Sequence, residues 1–137
     1  MALSETTNRM QSARKYIVFG PTETLKRFGS ALLDEIKPKY SHQYNSSSSE
    51  DLILVSVFEE YQRQLNSSTA LTSIFEFSGK SLKINILPTG GRMGFRGSSL
   101  DNERPLMDQV TDFIMDYAKR YGLSVQEIED TSIQETE

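Results

Sequence analysis

Two hydrophobic periods divide this chain, and together they leave few architectures open. Leu25, Phe28, Leu32, Leu33 and Ile36 recur at three- and four-residue intervals, as do Leu106, Val110, Phe113, Ile114, Tyr117 and Tyr121. That spacing gives each stretch a single apolar face when wound as an α-helix. Between the two, the period falls to two: in SLKINIL, Leu82, Ile84 and Ile86 share one side of an extended chain, and Lys83 and Asn85 the other. Such alternation describes an antiparallel strand with one wet side.

The remaining segments fill in around these anchors. Lys15–Phe19 is a short β-branched and aromatic run closed by Gly20 and Pro21, a first strand ending in a turn. The first helix is expected from Thr22, serving as N-cap, to just before Pro38. Tyr40, His42 and Tyr44 alternate with Ser41 and Gln43, predicting a half-buried strand ahead of the run of serines at 46–49. The strand-rich segments LILVSVFEEYQRQL and ALTSIFEF are expected to form a hairpin about an Asn66–Thr69 turn, and Ser78-Gly79-Lys80 turns the chain into SLKINIL. The last helix is expected to begin among Asp101 and Glu103 and to end at Gly122, with Lys119 and Arg120 suited to its C-terminal dipole. Ser124 and Glu127 have capping-box spacing, which predicts one further short helical turn.

The order strand, helix, about four strands, helix implies an α+β two-layer sandwich, an antiparallel sheet of about five strands covered on one face by two helices. It resembles the TATA-box-binding-protein-like and helix-grip classes of fold in element order, a likeness that carries no function. A chain of 137 residues suits one domain, expected over 15–123. Residues 1–14 are polar and read as a flexible leader, and the acidic stretch after 124 reads as a tail.

Composition narrows the function. Fifteen basic and nineteen acidic residues leave a net charge of −4, no field to hold a nucleic-acid backbone. There is no cysteine, which removes disulfides, thiolate metal sites and cysteine nucleophiles. No stretch approaches the ~18 apolar residues of a membrane helix, and the polar start lacks a signal-peptide core, so a cytoplasmic address without membrane attachment is expected.

The segment TGGRMGFRGSS, residues 89–99, is the one arrangement resembling a prepared site. Extended, it would place Arg92, Gly94 and Arg96 on one face and Met93 and Phe95 on the other, leaving two guanidinium groups flanking a gap. Its glycine spacing matches no phosphate loop, and a bulged turn explains the glycines equally well. His42 is the single histidine, with no partner at catalytic or metal-ligand spacing. Glu59 and Glu60, as strand neighbours, point to opposite faces and mark where the strand leaves the core; an inward Glu60 would be a candidate base. Asp108, Asp112 and Asp116 form one acidic row along the last helix.

No catalytic constellation, cofactor or metal site emerges. The residues point first to a noncatalytic protein-interaction or subunit module, self-associating or binding another protein through a sheet edge or face near Arg92 and Arg96. The alternative is a binder of a small apolar or anionic molecule between the long helix and the sheet, lined by Met93, Phe95, Phe113 and Tyr117.

Overall fold

A computed structural model of the chain describes residues 13–63, 66–91 and 105–129. The elements, in chain order, are β1 (Arg14–Phe19), α1 (Thr22–Glu35), β2 (Tyr40–Asn45), β3 (Leu52–Gln62), β4 (Ser67–Phe77), β5 (Ser81–Gly91), α2 (Leu106–Tyr121) and β6 (Ser124–Ile128). The strands form one six-stranded sheet in the order β2-β3-β4-β5-β1-β6, and every neighbouring pair is antiparallel. Both helices pack against one face, so the expected α+β sandwich stands, with six strands rather than five.

Alternation decides which side chains meet the helices. Tyr16 and Val18, Leu54 and Phe58, Leu71, Phe75 and Phe77, and Leu82, Ile84 and Ile86 are all buried on the inner face. Leu25, Phe28 and Leu32 of α1 and Leu106, Val110 and Ile114 of α2 close the core from above. Phe28 is fully buried at the junction of the three elements: its ring lies 5.8 Å from Phe75 of the sheet and 6.0 Å from Phe113 of α2, in edge-on geometry. One turn of α1 can approach this closely because residue 29 is glycine; a Cβ there would stand 2.6 Å from Leu54 Cδ2.

Several local expectations give way. Thr22 does not cap α1. Pro21 holds the N-cap position, its carbonyl accepting from the Leu25 N–H at 3.0 Å, while the Thr22 hydroxyl donates 2.8 Å to the Gly79 carbonyl and ties the helix start to the β4–β5 turn. Helix α2 begins at Leu106 behind Pro105, whose fixed φ suits a helix entry. The β3–β4 turn comes earlier than Asn66–Thr69. The ladder continues through Glu60 opposite Thr69 to Gln62 opposite Ser67, and Asn66 turns the chain with φ of 51°, a left-handed conformation asparagine tolerates. Glu59 and Glu60 therefore lie within β3 rather than at its exit.

The segment after α2 is the largest correction. Its capping-box spacing predicted a helical turn, but Ser124–Ile128 is strand β6. Gly122, at φ 67°, ends α2 in the left-handed conformation, and the Leu123 N–H closes on the Ala118 carbonyl at 2.8 Å. That reversal delivers 124–128 alongside β1, whose free backbone groups take a strand partner, with Val18 opposite Val125. Tertiary pairing overrides a local signal worth about 1 kcal/mol.

Ser56 and Ser73 face each other across β3 and β4, both essentially inaccessible, and neither hydroxyl has a hydrogen-bond partner. The same cross-sheet row ends at Arg14, whose guanidinium donates 3.1 Å to Thr111 Oγ1 of α2, so small side chains here lie beneath that helix. A buried hydroxyl left unpaired costs about 1–3 kcal/mol. Replacing both, Ser56→Ala with Ser73→Ala, is therefore expected to raise the thermal midpoint by a few degrees; a midpoint lowered by calorimetry would contradict this assignment.

Candidate functional site

The helix side carries an aromatic groove. Tyr117 stacks on Phe28 at a centroid distance of 4.3 Å, with Phe113 5.7 Å to one side and Tyr121 4.6 Å to the other. The Tyr117 hydroxyl donates 3.2 Å to the Thr24 carbonyl in the first turn of α1, fastening the C-terminal end of α2 to the start of α1. Burial is the first cause that raises the Tyr117 pKa; ionisation beside Tyr121 raises it further, and Arg27 opposes. Two open depressions flank this ladder. One, of about 250 Å³, is bounded by Thr24, Arg27, Asp34, Tyr117 and Tyr121, and the other, of about 270 Å³, by Glu35, Ile36, Asp112, Phe113 and Asp116. Two acids of the α2 row thus face this second hollow, with Glu35 of α1 across from them. Among the described residues no cluster of acids or histidine is arranged to hold a metal ion.

Among the described residues, the opposite side of the sheet has no helix over it. From edge to edge it presents Tyr40, His42 and Tyr44 of β2, Ile53, Val55 and Val57 of β3, Thr72 and Ile74 of β4, Leu87 of β5, and Ile17 and Phe19 of β1. Seven large hydrophobic side chains are exposed among the described residues. Five of them, Phe19, Tyr40, Tyr44, Ile53 and Tyr61, stand on this face, and only Met115 and Tyr121 belong to a helix. The apolar cluster lies on the β2–β3–β4 side, and a pair of opposite charges separates it from Ile17, in the cross-strand row Ile53, Glu76, Lys83, Ile17. Glu76 is opposite Lys83 in register, and Glu59 is bridged by Lys39 at 3.5 Å.

The sequence-derived site is only partly described. Arg92, Met93, Gly94, Phe95 and Arg96 lie outside the described residues. Phe113 and Tyr117 are brought together, but with Phe28 of α1 as their shared neighbour. His42 stands on the outer face opposite Val55. The β2 tyrosines, expected to be half-buried, are 59% and 61% exposed, because no layer among the described residues covers the side they project from. Glu60 is half-buried on the inner face, one step beyond Phe58, whereas Glu59 is exposed outside. What sequence reasoning missed is the apolar character of the outer face. Its members come from five strands, and the alternation of β3, with Ile53, Val55 and Val57 apolar on the supposedly wet side, was the available signal.

Neither protein-family models, curated proteins nor solved structures give a match to this chain.

Tyr117→Phe removes the bond to Thr24 and is expected to destabilise the domain by about 1 kcal/mol, a few degrees in thermal midpoint. Because folding raises this phenol's pKa, its contribution is complete below the ordinary tyrosine value of about 10 and is lost as pH rises through the folded value. Calorimetry from neutral to alkaline pH should show the wild type losing stability more steeply than the variant above that value; parallel curves would contradict the coupling.

Proposed function

We propose that this chain is a noncatalytic, cytoplasmic protein-interaction or subunit module whose contact surface is the helix-free face of the sheet, flanked by the β2 edge. The observation that carries this reading is the placement of five of the seven exposed large hydrophobic side chains on that one face. Single exposed apolar residues need no explanation, but a cluster of them on one face marks an interaction surface. Tyr40, Tyr44, Ile53, Val55, Val57 and Ile74 adjoin one another across β2, β3 and β4, beside the β2 edge, with the Glu76–Lys83 pair bordering them, a mix of apolar and charged surface that suits a protein interface. Size agrees as well. Six strands about 4.8 Å apart, averaging about eight residues of about 3.3 Å, span roughly 800 Å², about the area one partner contributes to a standard interface.

A small-molecule site between α2 and the sheet draws less support, since Phe113 and Tyr117 are engaged with Phe28 and the hollows beside them are open and shallow.

The test is native mass spectrometry of the protein purified gently from its host, wild type beside Ile53→Glu with Ile74→Glu. Wild type should carry a second polypeptide, either another copy or a different chain, and the variant should lose it, with affinity down at least tenfold, while keeping its circular dichroism. Both substitutions point away from the core, so folding should survive. An assembly unchanged by two carboxylates at the centre of the face would overturn the proposal.

A further inference from the structure

The partner chemistry can be taken one step further, resting on the reading that the helix-free side and its edge form a protein-contact surface. We propose that the partner is a second copy of this chain, joined edge to edge through β2 in antiparallel register centred on His42.

The first argument is the state of the edge. All six residues of β2, Tyr40–Asn45, are exposed, their pairing with β3 runs without a bulge, and the strand contains no charge and no proline. Sheet edges are ordinarily guarded by lysine, proline, bulges or inward-pointing charges. Pro38 and Lys39 stand at the start of this edge, where the Lys39 N–H donates 2.7 Å to the carbonyl of Val57, the residue opposite Tyr40, and Tyr40–Asn45 itself carries none of these guards. The other edge does: β6 has only five residues and carries Glu127 opposite Tyr16, a charge on the inner side. Of the two open edges, β2 is the one built to accept a strand.

The second argument is backbone direction. Ser46 donates its N–H to the Asp51 carbonyl at 3.0 Å, in the same register that sets Tyr44 opposite Ile53. Antiparallel pairs alternate between bonded and non-bonded positions, so Tyr40, His42 and Tyr44 bond toward β3. The N–H and C=O groups of Ser41, Gln43 and Asn45 then face the open edge.

The third argument is symmetry. Tyr40-Ser41-His42-Gln43-Tyr44 is a palindrome in its tyrosines about His42. Antiparallel pairing of two copies about this centre sets Ser41 opposite the partner's Gln43, and Gln43 opposite the partner's Ser41, forming four main-chain hydrogen bonds. Tyr40 then lies opposite the partner's Tyr44 in a non-hydrogen-bonded position, where side chains stand closest and aromatic pairs stabilise. The contact is isologous and closes at two copies, giving a twelve-stranded sheet with a continuous outer face.

Analytical ultracentrifugation of the full chain, over about 1–100 µM, tests this. Wild type should sediment at twice 15.6 kDa. Gln43→Pro removes an N–H aimed at the partner but none used by β3, and proline is tolerated at such an edge position. It should therefore dissociate at least tenfold more readily, with unchanged circular dichroism. His42→Glu, which sets two carboxylates opposite each other on exposed side chains, should do the same and stands in should the proline variant misfold. A monomeric wild type throughout the range overturns the inference, and so does a Gln43→Pro dimer as tight as wild type. Failure here is separable from failure of the broader reading. A dimer sensitive to Ile53→Glu with Ile74→Glu but not to Gln43→Pro moves the contact from edge to face, and a monomer carrying a different polypeptide keeps the surface but not the self-pairing.

Discussion

Phe28 is the contact on which the rest of the arrangement depends. Its ring meets the sheet through Phe75 and the second helix through Phe113 and Tyr117. Burying such a ring stabilises by about 1.5–3 kcal/mol, and each edge-on aromatic pair adds about 0.5–1.5 kcal/mol. More consequential is what its position commits. With α1 held to the sheet at Gly29 and α2 held to α1 along the aromatic ladder, both helices are confined to one face of the sheet. The same contacts that complete the core leave the other face without a helix among the described residues.

Much of this was legible in the residues. Two helical stripes and the alternation of Leu82, Ile84 and Ile86 were enough to place both helices, the inner face of β5 and the class of fold. The misreadings share a cause. Thr22, the Asn66–Thr69 turn and the Ser124–Glu127 spacing are local signals, each worth about 1 kcal/mol or less, and each yielded to a contact made across the structure. Thr22 found Gly79, the turn was displaced by a longer ladder, and Ser124–Ile128 found the free edge of β1.

The candidate surface was harder to read because it is a property of the sheet and not of any segment. Tyr40, His42 and Tyr44 read as half-buried, since an alternating aromatic strand usually has a layer above it. Here strand order puts them at an edge and helix placement leaves them uncovered. No spacing within one strand shows that Tyr44, Ile53, Val55 and Ile74 become neighbours; that requires the order β2-β3-β4. Phe113 and Tyr117, by contrast, were found as a pair from helical spacing, though their common neighbour Phe28 was not.

An uncovered face bordered by an unguarded edge is a demanding arrangement for a small domain, and the account holds that a protein partner meets both. Hydrogen exchange followed on the peptide spanning Tyr40–Asn45 examines this directly, because half of its amides point away from β3 and none of the described residues pairs with them. The account predicts exchange in β2 that slows markedly as protein concentration rises, with β6 unchanged. Exchange in β2 that is fast and independent of concentration, in the host-purified assembly as well as in the isolated chain, would contradict it.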